Sequence, residues 1–315
     1  LDELPDCDDS PPVEAAAANR HVEMAAKLDV LMELLFVYLR RQCAGDKPVE
    51  TRDHMFYLML GVFERSIILT FKSKFTQFLM FFVCQLHYSF PDLLVGRLIN
   101  LARDDTRTVV LRRAAAAYLA SFLARAAYLK DTTLCVCVCV RVCVCVCVAE
   151  GFTRHARRRS ALHYAAHWLV DFSTGDIKDS AAVYYAMCQA LFYAVCFHAA
   201  SFSSKSGGVA FLAGLPWGDI VGSHLDPLSH CVQTVATEFT RVSRALNLYD
   251  DGAAVAAAGA GKATRAAKFD EVEADNTLDT TLESFFPFDP YLLRQSARFI
   301  TPVYRDWVAA ATEDD

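Results

Sequence analysis

Residues 111–129 read LRRAAAAYLASFLARAAYL, and this stretch decides the fold class. Leu111, Ala115, Tyr118, Phe122, Ala126 and Leu129 follow one another at spacings of four, three, four, four and three. That rhythm lines one face of an α-helix, whereas a half-buried strand would alternate every second residue. The rhythm recurs on both sides. Leu28–Leu39 is apolar nearly all round, and its charges, Asp29, Glu33 and the following Arg40, fall on one narrow stripe. It predicts a helix buried on most sides, ended by Gly45, Asp46 and Pro48. Further helices are predicted over Thr51–Leu69, Lys74–Ser89, Asp92–Ala102, Arg157–Phe172, Ser180–Ala200 and Pro227–Leu246. Shorter ones are expected around Gly207–Gly222 and after Pro290. Asp104, Asp105 and Thr106 form a turn with cap candidates ahead of the 111–129 helix. Short loops make successive helices antiparallel neighbours. The predicted class is therefore all-α. Helix pairs of about 40 residues suggest a HEAT-repeat-like α-solenoid, although no crisp sequence repeat is visible.

Two segments depart from this pattern. Cys135–Val148 alternates Cys and Val, broken once by Arg141, and holds six of the twelve cysteines. As a strand it would be apolar on both faces, an aggregation hazard. As a zinc site its every-second-residue spacing is poor. A TG dinucleotide repeat encodes this alternation, so residues 135–158 read as a foreign insert. Residues 250–276 are rich in Ala and Gly and read as a low-complexity loop. Residues 1–19 and 311–315 are acidic; the first is expected to be a disordered segment and the second an acidic tail, around a helical domain spanning 20–310. The chain opens at Leu1 and reads as part of a longer protein.

Composition narrows the function classes. The chain of 315 residues is 54% hydrophobic with a net charge of −6, so there is ample core and no global positive field for nucleic acid. Apolar runs of about a dozen residues fall short of the roughly 20 that span a bilayer, which argues against a membrane protein. The scattered cysteines (Cys7, Cys43, Cys84, Cys188, Cys196, Cys231) sit singly, mostly in apolar helical patterns, as small buried hydrophobes in a reducing compartment. Gly259-Ala260-Gly261-Lys262 lacks the remaining glycine and hydroxyl of a phosphate loop. His163 and His167 stand four apart without the glutamate of a metalloprotease helix. No catalytic, metal or cofactor signature emerges, and no small-molecule substrate is expected. The candidate contact residues are Arg103, Arg107, Arg112 and Arg113, which flank the turn before the 111–129 helix. They read either as a solvated helix start or as a patch for an acidic partner or DNA phosphate.

One further stretch is distinctive. Residues 281–307 read TLESFFPFDPYLLRQSARFITPVYRDW. Phe285, Phe286 and Phe288 cannot all be exposed cheaply, since burying one aromatic is worth about 2–3 kcal/mol. Pro287 and Pro290 bar a continuous helix. The segment reads as an extended clamp across the helices, with Asp289 capping a helix that starts at Pro290. This stretch resembles a signature of the RNA polymerase I-specific transcription initiation factor family. Ser121-Phe122-Leu123-Ala124-Arg125-Ala126 resembles the family's SFLARA segment, and Cys188-Gln189-Ala190-Leu191-Phe192-Tyr193 its CQAVFY helix. Leu225-Asp226-Pro227-Leu228 is similar to its QLNPLK turn, and Leu28–Tyr38 to its LDxLxxLxxxY helix. The matches occur in family order over about residues 20–250 and 277–310. Position 127 departs, being Ala where the family has Lys.

The resemblance implies an elongated HEAT-repeat protein of the nucleus and nucleolus, not an enzyme. It implies binding to RNA polymerase I and bridging to the promoter-bound selectivity (core) factor at ribosomal DNA, with a weak local DNA contact. It places the contact region around residues 96–129 and adds Leu123 and Arg125 to the arginine cluster. Phe285, Phe286, Pro287, Phe288, Asp289 and Pro290 are its signature clamp. A different HEAT-like scaffold, such as a transport or assembly adaptor, would share the fold but not the polymerase.

Overall fold

The protein is described from a computed structural model covering residues 13–70, 73–129, 161–173, 181–249 and 286–307. Helix α1 spans Val13–Gln42, and α2 spans Val49–Val62 and runs on into a π-helical turn at Phe63–Ile67. Then come α3 (Gln77–Cys84), α4 (Phe90–Arg103) and α5 (Val109–Arg125). Helices α6 (Ala161–Ser173) and α7 (Ala181–Ser203) precede three short helices, α8 (Gly208–Ala213), α9 (Trp217–Val221) and α10 (Pro227–His230). Helix α11 covers Gln233–Ala245. Residues 286–307 form a strap whose only helical turns are 3-10, at Ser296–Phe299 and Thr301–Val303. Among the described residues there is no strand, only an antiparallel bridge between Ala126 and Tyr304. The fold is all-α.

Helix α7 is the hub. It packs along α5 and against α6, α8 and α11, while α5 also packs on α4. Among the described residues α7 is also the one helix long and apolar enough to cross a bilayer, a span the sequence reading did not see. Its most apolar window is 78% buried by its neighbours, as in the core helix of a water-exposed protein. Phe78, Phe81, Phe82, Phe122, Phe192, Trp217 and Phe239 are fully enclosed. The Trp217 indole N–H donates to the Leu212 carbonyl at 2.7 Å, so its polar atom is not stranded. Cys43, Cys84, Cys188, Cys196 and Cys231 are buried thiols, and burial pushes Cys196 and Cys231 up to about 12. Such thiols are inert at neutral pH.

Several boundaries differ from the sequence expectations, each for a local reason. Helix α1 begins at Val13, inside the acidic stretch 1–19. Its buried face is Asp29, Met32, Phe36 and Leu39, but Val30, Leu31, Leu34, Leu35 and Tyr38 on the other side are exposed. An apolar side chain cannot specify whether a partner surface is there to cover it. Helix α4 starts before Pro91, because proline in a first turn needs no N–H. The predicted Pro227–Leu246 helix is broken at Cys231, whose backbone is extended (φ −78°, ψ 160°). There the Val232 N–H leaves the helix and donates to Gln189 Oε1 at 2.8 Å. The helix expected to run to Leu129 stops at Arg125, because Ala126 pairs with the strap. No helix starts at Pro290 either; the chain runs without helix to Ser296. All of residues 135–158 with the Cys-Val tract, the loop at 250–276, residues 1–12 and the tail at 311–315 lie outside the described residues.

Candidate functional site

Two features gather the candidate residues: the α4–α5 turn with its arginines, and the strap with its tethers. In the turn, Asp104 Oδ1 accepts from the Thr106 N–H at 3.1 Å and from the Thr106 hydroxyl at 2.5 Å. Arg107 Nε donates to the other carboxylate oxygen at 3.2 Å. The Thr106 hydroxyl, then Arg107 and the Thr106 N–H, hold the Asp104 carboxyl below its ordinary value. The helix cap is Thr108, whose side chain accepts from the Leu111 N–H, and not the Asp104–Thr106 set.

The structure separates the arginines. Arg107 is exposed, and Arg103 and Arg113 are half-buried. Arg112 is 4% exposed, with Nε donating to the Ala102 carbonyl at 3.0 Å. That carbonyl is one of the last four of α4, where a cation and a donor are both favourable. Arg112 therefore ties the start of α5 to the end of α4. Leu123 is also buried, and Arg125 is 9% exposed. The Arg125 guanidinium lies over the rings of Phe197 (4.7 Å) and Tyr304 (5.4 Å). It also reaches Asp289 at 3.7 Å and donates to the Arg305 carbonyl at 3.4 Å. So Arg112, Leu123 and Arg125 face inward, and Arg103, Arg107 and Arg113 remain at the surface.

The strap crosses α1, α3, α5 and α7. Phe286 stacks on Tyr193 of α7 at 4.3 Å. The Pro287 carbonyl accepts from Gln77 Nε2 of α3 at 2.6 Å. Phe288 is fully buried between Phe78, Phe81, Tyr118 and Phe122, and its N–H donates to the Ser121 hydroxyl at 2.9 Å. The Tyr304 hydroxyl closes the loop by donating to the Phe288 carbonyl at 2.8 Å. Asp289 and Pro290 are exposed, and partial burial raises the Asp289 carboxyl against the opposing pull of Arg125. Phe285 lies outside the described residues.

The far end of the strap is held by α1. Asp29 accepts from the Gln295 N–H (2.7 Å), the Ser296 N–H (2.8 Å) and the Ser296 hydroxyl (2.5 Å). It caps the Ser296–Phe299 turn from 266 residues away. Arg298 pairs with Glu33 one turn further along α1. Burial disfavours the Asp29 anion, but these bonds outweigh it and hold the carboxyl below its ordinary value. Sequence reasoning missed Asp29, Gln77, Ser121, His198 and Arg305 as tethers. The signal for Gln77 was present, a Gln heading the apolar run Phe78–Cys84, whereas Asp29 stood on the charged stripe of its helix. His167, of the spaced histidine pair, is exposed, and the His163 side chain lies outside the described residues. Among the described residues no group of three or more His, Cys, Asp or Glu converges as a metal site would require.

The described residues form an all-helical body tied by a buried aromatic strap, with an arginine turn at its surface. The comparisons give the family. Residues 2–312 match the family described as RNA polymerase I specific transcription initiation factor RRN3, and the chain belongs to that family. It is 27% identical to the initiation factor RRN3 of Mus musculus, over the whole of this chain and 46% of the relative. It is also 27% identical to rrn3 of Schizosaccharomyces pombe, over 93% of this chain and 45% of that protein. The chain thus spans just under half the length of these relatives. A crystal structure of RNA polymerase I transcription initiation factor Rrn3 superposes with a TM-score of 0.67 at 19% identity. The match covers 94% of this chain and 58% of the other, and shows the same fold. The family is one of transcription initiation factors and not of enzymes.

Proposed function

We propose that this chain is the central to C-terminal part of the folded region of an RNA polymerase I-specific initiation factor, acting in the nucleus and nucleolus. It binds RNA polymerase I and connects it to the promoter-bound selectivity (core) factor at ribosomal DNA. The family match over residues 2–312 carries this reading. A HEAT-like α-solenoid of antiparallel helix pairs suits the role, because stacked pairs offer long surfaces for large partners. The pairing of α4 with α5 and of α1 with α2 supports that architecture. Arg103, Arg107 and Arg113 form the contact patch, for acidic protein surface first and DNA phosphate second. Phe286, Pro287, Phe288, Asp289 and Pro290 serve to fix the helices that display it.

Capture of RNA polymerase I from nuclear extract, with this chain as bait, tests the proposal. Enrichment over a helical scaffold of similar size is expected; equal recovery means another scaffold role, such as a transport or assembly adaptor. Replacing Arg107 and Arg113 with Glu should cut recovery several-fold with the melting temperature unchanged. The loss should shrink as salt is raised, since exposed charges are screened.

A further inference from the structure

His198 is enclosed in the middle of the molecule, at 1% exposure, although no sequence signal marks it. It sits where α5, α7 and the end of the strap meet. Its Nε2 lies 2.7 Å from the Leu123 carbonyl. A carbonyl only accepts, so Nε2 carries a proton. Arg305 of the strap brings Nη1 to 2.7 Å from Nδ1 and 3.0 Å from Nε2. Near-equal distances to both nitrogens put the guanidinium against the ring, closest to Nδ1. A guanidinium is always charged, and a cation laid against the ring disfavours a second positive charge on it, so the imidazole is neutral. Arg305 is fixed by its backbone as well: its N–H donates to the Arg125 carbonyl at 2.7 Å, and the Ala127 N–H donates to the Val303 carbonyl at 3.0 Å.

We propose that His198 is a proton-operated latch for residues 303–307 of the strap. A proton taken from solvent onto Nδ1 makes an imidazolium at contact distance from the Arg305 guanidinium. Two buried cations at that separation repel strongly. The cheapest relief is for Arg305 to leave. It takes with it the two backbone bonds to Arg125 and Ala127, and Trp307, whose ring packs on Phe197 at 4.7 Å. Charged and titratable groups of both signs lie on the elements around it. Helix α5 brings Arg125, and the strap brings Arg305 and its neighbour Asp306. Helix α7 itself carries Cys196, faced by Glu238 and Arg241 of α11, and Lys205 near its end; α8 has no ionisable side chain. Opening would expose the inner face of the Phe288–Tyr304 loop and the α5–α7 seam. The latch would thus let local acidity, or a partner that prefers charged His198, set the strap.

Amide exchange at Arg305 and Ala127 reads the latch directly, because both N–H groups belong to the bonds that break. With intrinsic rates divided out, protection in the intact chain should fall from pH 7.5 to 5. One linked proton permits a loss of up to about tenfold per pH unit. Amides within α5 and α7 should stay protected. His198→Gln retains a donor for the Leu123 carbonyl but cannot charge, and should show a flat profile. If that variant fails to fold, judged by its α5 and α7 amides, Arg305→Gln replaces it; its amide oxygen accepts from an imidazolium, so its slope should be smaller than the parent's. A flat profile in the parent, or equal slopes in parent and variant, would overturn the proposal. The range stays above the window in which Asp29, held below its ordinary value, would release the other end of the strap.

Discussion

At the residue scale, the strap depends on a few side chains that satisfy each other's polar atoms while burying rings. Phe288 is enclosed by four rings from α3 and α5, so its removal leaves a cavity that helices can only partly close. Phe288→Ala should cost about 3–5 kcal/mol in urea unfolding, more than any exposed strap residue. Asp29 makes a different prediction. Its folded carboxyl is held below the unfolded value, so it stabilises the fold above pH ~4 and loses that contribution as pH falls through the folded value. Unfolding free energy plotted from pH 6 to 2 should therefore fall less steeply for Asp29→Asn than for the parent, and parallel curves would remove Asp29 from the account. Arg125 shows why residue type alone misleads. The sequence suggests a contact residue, yet its long stem and planar head fill the space between Phe197, Tyr304 and Asp289.

At the element scale, helix existence was legible and helix ends were not. The period of 111–129 located α5, but the helix ended at Arg125 because the strap bonds the Arg125 carbonyl and the Ala127 N–H. The same competition broke Pro227–Leu246 into α10 and α11. There Gln189, at the centre of α7, accepts the Val232 N–H that helix continuation would have used. Replacing Gln189 with Leu strands that N–H, a loss of about 1–3 kcal/mol. Exchange should quicken at the start of α11 and remain slow in the strap; uniform loosening would mean Gln189 serves the whole core instead. The turn from α7 into α8 is fixed by backbone space. Gly207 has φ +79°, and a Cβ on Gly208 would lie 2.2 Å from the Phe202 carbonyl oxygen. Only glycine fits both demands without moving the chain.

At the scale of the whole molecule, the strap joins residues more than 160 positions apart, from Ser121 to Phe288 and from Asp29 to Gln295. Helix α1 meanwhile presents two unlike faces. Phe36→Ala, on the face under the strap, should cost about 3–5 kcal/mol. Leu34→Ser, on the exposed stripe, should stay within about 0.5 kcal/mol in this chain. A large loss at Leu34 in thermal unfolding would show that a surface absent from the described residues covers it. The sequence by itself determined that the protein is helical, that it lacks the residue patterns of catalysis, and which family its ordered motifs resemble. Those are properties of local periodicity and residue type, and they survive without knowledge of neighbours. Only the tertiary structure decided which arginines face solvent, what the aromatic signature holds, and that His198 meets Arg305. These depend on contacts between segments far apart in the chain, where burial and the need to pair every enclosed polar atom override what each segment would do alone.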